Sequence, residues 1–326
     1  MSLTKLLVKK ALDPNYLNLI LFPTERCNFR CIYCYENYQM GGMTSEIVAS
    51  IKKLISVRVP DLKKLEISWF GGEPLLKKDI IREISCHIID LTQECSDLKY
   101  GANITTNGYF LDTITFQELV SLGINTYQIS LDGDYEVHNQ TRKRADGKGT
   151  FNTIWRNLLA IRDTDYPAHI ILRVHFSPDT WTQLSPLIEM INTELIDDGR
   201  FYVYFKSISR LGGENDENLS IFSDQDEGKV IQILQEQVKN SQQLETVDIN
   251  QYICYASKGN SLAIRANGDI IKCTVALDSP KNKIGHLNLD GTVEIERELF
   301  LPWLKGLEIG DQKIMACPWY NYVKNS

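Results

Sequence analysis

Three cysteines at C-x3-C-x2-C spacing, Cys27, Cys31 and Cys34, stand directly after the first apolar run and constrain the chain more than any other feature. Eight cysteines scattered at random through 326 residues would rarely give this triplet. Three thiolates on one loop can hold three irons of a four-iron cubane and leave the fourth iron without a protein ligand. Zinc fits the spacing less well, because structural zinc takes four closed ligands, usually as paired C-x2-C units. The apolar run at 19–22 is too short to span a membrane and has no small-residue cleavage site after it. A cytoplasmic location is therefore expected, and the cysteines read as thiolate ligands or buried small hydrophobes rather than disulfides. With 35 Lys and Arg against 42 Asp and Glu, the net charge of −7 speaks against a nucleic-acid partner, and no membrane partner is expected.

From residue 17 to about 213 short apolar runs alternate with stretches of helical periodicity. Strands are expected at 18–23, 64–70, 101–106, 126–131, 170–176 and 201–207, and helices near 45–57, 78–95, 116–122, 151–161 and 184–195, with a bridging helix at about 224–239. Such alternation means parallel strands joined by right-handed crossovers, in an α/β protein built as an open doubly wound sheet or as a full or partial barrel. From Tyr252 the rhythm changes to short strands and turns, with hairpin signals at Asn267-Gly268-Asp269 and Asp290-Gly291. Cys86 and Cys95 fall in an expected helix and read as core thiols; His87, His138, His169 and His175 have no metal spacing and read as structural or surface residues.

The triplet, with the aromatic Tyr33 before its last cysteine, resembles the signature of radical S-adenosylmethionine (SAM) enzymes. The segment Trp69-Phe-Gly-Gly-Glu-Pro74 resembles that family's binding segment for the methionyl amino group, which gives Gly71, Gly72, Glu73 and Pro74 to the cofactor. Glycines permit close backbone approach, and Glu73 offers an acceptor to an ammonium. Ile104-Thr-Thr-Asn107-Gly and Gln128-Ile-Ser130-Leu-Asp-Gly lie at the carboxyl ends of expected strands, where α/β folds place ligands. Ser130 and Arg142 resemble the pair that holds the cofactor carboxylate, and Asn107 joins them as a pocket residue. Read without the resemblance, Gly-Gly-Glu-Pro and Asn107 are also turn residues, and Arg142 is also a solvated loop charge.

Cys254 and Cys273 enclose Gly268 in C-x13-G-x4-C, and Cys317 follows later. This resembles the opening of a SPASM or twitch domain, the auxiliary iron–sulfur unit of radical enzymes that modify peptides and proteins. The resemblance implies a partial (β/α)6 TIM-type barrel with a small C-terminal α+β twitch/SPASM-like domain. It divides the chain into an extension at 1–16, the barrel at 17–215, a helical linker at 216–250 and the auxiliary domain at 251–326. The chain ends nine residues after Cys317, so one auxiliary [4Fe-4S] cluster is expected, held by Cys254, Cys273 and Cys317. Its fourth ligand is a substrate thiolate, a non-cysteine group or nothing; zinc with His286 as fourth ligand is the bland alternative.

The resemblance implies that the chain cleaves SAM to a 5′-deoxyadenosyl radical, which abstracts hydrogen from the substrate. The run Lys272-Cys-Thr-Val-Ala-Leu277, followed by Asn282-Lys-Ile-Gly-His286, is most similar to ribosomal peptide maturases. A peptide with a leader is therefore the expected substrate, a side-chain cross-link or an oxidation the expected outcome, and flavodoxin or ferredoxin the expected electron donor. The residues before the first strand leave no room for a leader-binding winged domain, so the barrel rim, the C-terminal unit or a separate leader-binding protein would serve. A sulfatase-maturase or small-molecule dehydrogenase activity is the alternative; Thr274 stands where sulfatase maturases carry an Asp. In another class stands a non-catalytic iron–sulfur or zinc module that binds proteins. No catalytic acid or base is assigned, with Tyr255, Lys206 and Asp278 as unassigned pocket candidates.

Overall fold

The computed structural model describes residues 3–239 and 252–326. In chain order the principal elements are α1 (Leu3–Ala11), β1 (Tyr16–Thr24), β2 (Phe29–Cys31), α2 (Ser45–Arg58), β3 (Lys64–Gly71), α3 (Lys78–Glu94), β4 (Lys99–Thr106), α4 (Thr113–Ser121) and β5 (Ile124–Leu131). Next come α5 (Tyr135–Thr141), β6 (Arg142–Arg144), α6 (Phe151–Arg162), β7 (His169–Phe176), α7 (Ser185–Glu194), β8 (Phe201–Ser207) and α8 (Asp224–Glu236). The chain closes with β9 (Ser261–Ile264), β10 (Asp269–Ile271), β11 (Lys283–Leu287), β12 (Val293–Ile295) and short helical turns from Arg297 onward. The contacts divide into two compact units, residues 1–26, 38–102 and 247–326 in the first and 27–37 and 103–246 in the second.

In the first unit the strand order is β12-β11-β10-β9-β1-β3, followed by the opening residues of β4. β1 is mostly apolar and is buried from Leu17 to Thr24, as expected of a strand flanked on both edges and covered on both faces. It runs parallel to β3, with Leu19 opposite Ile67 and Leu21 opposite Trp69, and parallel to β9 on its other edge, with Leu19 opposite Leu262. The C-terminal strands β9 to β12 are antiparallel to one another and extend the same sheet. The Thr44 hydroxyl caps α2 by accepting from the Ile47 N–H, and Ile47, Ile51, Leu54 and Ile55 form its buried stripe. In α3, Ile80, Ile81, Ile84 and Ile88 do the same.

In the second unit the remainder of β4 leads to β5-β7-β8, with β5, β7 and β8 parallel. Period-two alternation separates two faces. Tyr127, Ile129, Leu131, Ile170, Leu172, Val174 and Phe176 are buried in the core, as are Ile154, Leu158 and Ile161 of α6 and Leu187, Ile188 and Ile191 of α7. The opposite face carries Gln128, Ser130, Arg173, His175, Tyr202 and Lys206. Apart from the sheet, β2 and β6 form an antiparallel ribbon with Phe29 opposite Arg144, Arg30 opposite Lys143 and Cys31 opposite Arg142.

Each strand expected in the βα repeat is present to within two residues. Three elements depart from expectation. The extension contains α1, the segment before Arg142 is the helix α5 rather than a loop, and the β2–β6 ribbon was not anticipated. The core-thiol reading is corrected: Cys86 is exposed and Cys95 is half-buried at the cap of α3. Nine residues at about 100° each leave two positions about half a turn apart, so one helix face cannot bury both. The expected bridging helix is present as α8, while residues 240–250 of the linker lie outside the described residues. Among the described residues no helix is long and apolar enough to cross a membrane.

Candidate active site

The second unit contains the early cysteine loop. The Phe29 N–H donates to Cys27 Sγ at 3.3 Å, and Asn107 Nδ2 approaches the same sulfur at 3.8 Å while donating to Asn28 Oδ1 at 2.8 Å. Asn107 Oδ1 in turn accepts from the Tyr109 N–H at 3.0 Å, so this residue forms a turn and also clasps the loop. Phe29 is fully buried, edge-on to Tyr109, with the Arg142 guanidinium over its ring at 5.8 Å. Cys31 ends β2, and a turn closed by the Cys34 N–H on the Cys31 carbonyl at 3.1 Å brings the third cysteine back beside the second.

All three are half-buried and none is in a disulfide. Burial pushes the Cys31 thiol up to about 12, opposed by the Arg142 charge and reinforced by Cys34 and Asp132. A thiolate there needs positive compensation, which a bound iron supplies. Among the described residues no three His, Cys, Asp or Glu are grouped to share one metal ion. A cubane asks for less, because each thiolate takes a different iron. Three unoxidised thiols on one loop, with a guanidinium beside them, fit that demand.

Behind the loop lies a buried polar network. The Tyr33 hydroxyl donates to Asp132 Oδ1 at 2.8 Å and accepts from Arg142 Nη1 at 2.7 Å, with His175 Nδ1 at 3.3 Å. Thr141 Oγ1 donates to Asp132 Oδ2 at 2.7 Å. Burial alone would raise the Asp132 carboxyl, yet the hydrogen bond to His175 and the Arg142 charge hold it well below the usual carboxylate range. Burial pushes His175 down to about 4 and His138 down to about 3, so both rings are neutral near pH 7. Arg142 is 7% exposed, and its Nε has no hydrogen-bond partner. An orphaned N–H beside an occupied Nη1 leaves one edge of the guanidinium for an added acceptor such as a carboxylate. Ser130 is buried on the same strand as this network, one turn of the pleat before Asp132.

The first unit contains the other two groups of site candidates. Gly71 has φ +112°, and a Cβ on Gly72 would lie 2.6 Å from the Arg26 carbonyl oxygen. The close approach that both glycines permit is thus to the chain's own backbone at the end of β1. Pro74 begins a 3-10 turn, and the fully buried Glu73 caps it, its carboxylate accepting from the Leu75 N–H at 2.9 Å and its own N–H donating to the Arg26 carbonyl at 3.0 Å.

Cys254, Cys273 and Cys317 arrive from three separate segments. The Cys254 N–H donates to the Met315 carbonyl, the Cys273 N–H to Asn282 Oδ1, and Cys317 caps the short helix Gln312–Ala316. Burial pushes Cys254 up to about 11, with the charges of Cys273 and Cys317 adding to it, and Cys273 is raised by burial and by Cys317. Cys254 therefore feels both other cysteines, and Cys273 feels Cys317. His286, considered as a zinc ligand, instead meets Asp269 at 3.2 Å. The Tyr255 hydroxyl pairs with Thr274 Oγ1 at 2.7 Å.

Sequence reasoning placed Asp132 in a strand-end segment without assigning it a role, read His175 as a structural or surface residue, and did not mention Arg173. Alternation along β7, with Ile171, Arg173 and His175 interleaved between Ile170, Leu172, Val174 and Phe176, was the available signal.

Over residues 21–191, just over half of its length, the chain matches the Radical SAM superfamily. It belongs to that family, and it is an enzyme of the radical SAM class, for which the family implies a [4Fe-4S] cluster and SAM. Its relatives include a GTP 3′,8-cyclase of Campylobacter jejuni subsp. doylei, 34% identical over 122 residues, which are 36% of this chain and 35% of the relative. The match thus spans about a third of that protein's length. An uncharacterized protein of Methanocaldococcus jannaschii is 26% identical over 257 residues, covering 78% of this chain and 84% of the relative. Among solved structures, anSMEcpe with bound AdoMet superposes with a TM-score of 0.67 at 18% identity, covering 89% of this chain and 84% of that one. SuiB of Streptococcus suis, bound to its precursor peptide SuiA, superposes with a TM-score of 0.59 at 16% identity, covering 86% and 64%. These likenesses establish the fold: the α/β partial barrel of the radical SAM type with a C-terminal antiparallel region.

Proposed function

We propose that this enzyme is a peptide maturase that abstracts hydrogen from a ribosomally made peptide and leaves a side-chain cross-link or an oxidation. The observation that carries this reading is the second thiol trio, Cys254, Cys273 and Cys317, in which Cys254 feels both other cysteines and Cys273 feels Cys317, in a C-terminal unit added to the sheet. The fold likeness to chains solved with bound peptides, SuiB with SuiA and anSMEcpe with the Kp18Cys peptide, supports it.

In this reading residues 17–215 form the catalytic barrel and 251–326 an auxiliary domain with one [4Fe-4S] cluster on its three cysteines. Cys27, Cys31 and Cys34 hold the first cluster. When bound, that cluster and SAM together supply a 5′-deoxyadenosyl radical. The chain's own residues orient and shelter it. Arg142 offers its unpartnered Nε to the methionyl carboxylate, with Ser130 as hydroxyl donor. Asp132 and Tyr33 fix the guanidinium, while Glu73 accepts from the methionyl ammonium and Gly71, Gly72 and Pro74 shape the backbone around it. Asn107 holds the cysteine loop closed.

A second reading, action on a nucleotide, rests on the identity with GTP 3′,8-cyclases, which is confined to about a third of those proteins. Two measurements separate the levels of the proposal. Anaerobically reconstituted protein with dithionite should cleave SAM, and Cys31→Ala should abolish cleavage; undiminished turnover in that variant removes the cluster assignment. Mass spectrometry of a co-expressed candidate precursor should show loss of hydrogen from the peptide, whereas an unchanged peptide together with consumption of GTP would replace the peptide by the nucleotide.

A further inference from the structure

We propose that Arg173 anchors a carboxylate of the substrate on the open face of β7. The inference rests on the reading of a peptide substrate. β7 alternates strictly: Ile170, Leu172, Val174 and Phe176 are 0% exposed, while Arg173 and His175 point to the opposite face. The Arg173 Nε is buried without a hydrogen-bond partner. A buried N–H without an acceptor, here on a half-buried guanidinium, is a cost to the fold. Such a cost is retained where a ligand removes it.

The neighbourhood offers nothing that would neutralise Arg173 from within. Its register partners are Ser130 on β5 and Tyr204 on β8, both hydroxyl-bearing and uncharged. Lys206, opposite His175, is committed to Glu227 at 3.2 Å. Asp132 is committed to Tyr33 and Thr141. His175, held neutral by burial, adds no charge. What remains is one unit of positive charge in a planar fork, between strand neighbours that carry no charge. A carboxylate matches this in charge, shape and hydrogen bonding. A phosphate chain, with several negative charges, would need further free cations. The methionyl carboxylate already has a candidate partner in Arg142, so Arg173 is left for the substrate: an Asp or Glu side chain, or a peptide C-terminus.

The test uses the reconstituted holoenzyme with saturating SAM, so that the cofactor's own carboxylate is already seated. Binding of acetyl-glutamate amide is followed by ligand-detected NMR, with acetyl-glutamine amide as the uncharged control, and SAM affinity is measured separately. Arg173→Gln should weaken acetyl-glutamate amide at least tenfold, and Arg173→Lys should lie between it and the wild type. The glutamine control should not bind, and SAM affinity should stay within twofold for both variants. Three results overturn the proposal: no binding of acetyl-glutamate amide to the wild type, equal binding to wild type and Arg173→Gln, or a tenfold loss of SAM affinity in Arg173→Lys. Displacement of the probe by equimolar tripolyphosphate also overturns it, in favour of a phosphate site. Arg173-dependent carboxylate binding in a chain that modifies no peptide would support the anchor and remove only the peptide.

Discussion

Arg265, in the turn between β9 and β10, reaches Glu25 at the end of β1 with Nε to Oε1 at 3.0 Å and Nη2 to Oε2 at 2.5 Å, and donates a third bond to the Leu277 carbonyl. Glu25 is 1% exposed. Removing one partner of such a pair leaves the other charge buried alone, so Arg265→Met should cost about 3–5 kcal/mol by denaturant titration. Glu25→Gln in the same chain should restore part of that loss, and simple additivity of the two changes would show the pair is not coupled. The buried histidines set a pH dependence. His138 and His175 are neutral in the fold, at about 3 and about 4, but titrate near 6.5 when unfolded. Their contribution is complete above about 6.5 and is lost as the pH falls towards 4 and then 3, at about 1.4 kcal/mol per pH unit for each ring. Asp132, whose folded-state value is depressed, adds stability above its ordinary range that is lost only at more acid pH. The urea midpoint of the chain should therefore fall steadily from pH 6.5 to 4, and a flat profile would contradict neutral burial. At this scale the cysteines were legible because their spacing is itself the signal. His175 and Arg173 were not, because their roles depend on what the fold places around β7, as where His175 meets Tyr33 and Asp132 from distant parts of the chain.

Gly72 sits where strand β3 hands over to the Glu73 turn, against the backbone of Glu25 and Arg26. Gly72→Ala would place a methyl 2.6 Å from a carbonyl oxygen that cannot swing aside, because the Glu73 N–H is bonded to it. The variant should lose about 1–3 kcal/mol from overpacking alone and reconstitute with less iron than the wild type. Full iron loading with unchanged melting would mean that the turn yields. Long elements could be read in advance: β1, β3, β5, β7 and β8 are apolar runs bounded by turn residues, and α2 and α3 carry clear stripes. Short ones could not. α5 has seven residues, with Val137 as its one aliphatic core side chain, and is started by Asp134 capping the Glu136 and Val137 N–H groups. The β2–β6 ribbon has three residues a side, mostly polar, and no periodicity detects it.

For the molecule as a whole, the number of irons distinguishes a single-cluster enzyme from one with an auxiliary centre. Anaerobic reconstitution should give about eight irons per chain, falling to about four in Cys273→Ala and retaining SAM cleavage. About four in both would leave the C-terminal trio without a cluster. Motif spacing indicated the chain's radical SAM class. That the C-terminal strands would dock on the free edge of β1 was not legible, since pairing of Asn18 with Ser261 spans most of the chain.

The ribbon in which Cys31 faces Arg142 has one further implication. The eight-residue cysteine motif is half of a clasp whose other half lies more than a hundred residues downstream, so a short peptide copying the motif would lack the strand paired with its second cysteine. Anyone transplanting this cysteine loop into a new scaffold must therefore carry both halves in the same register, because sliding one past the other by a single position would remove the arginine from its place opposite Cys31.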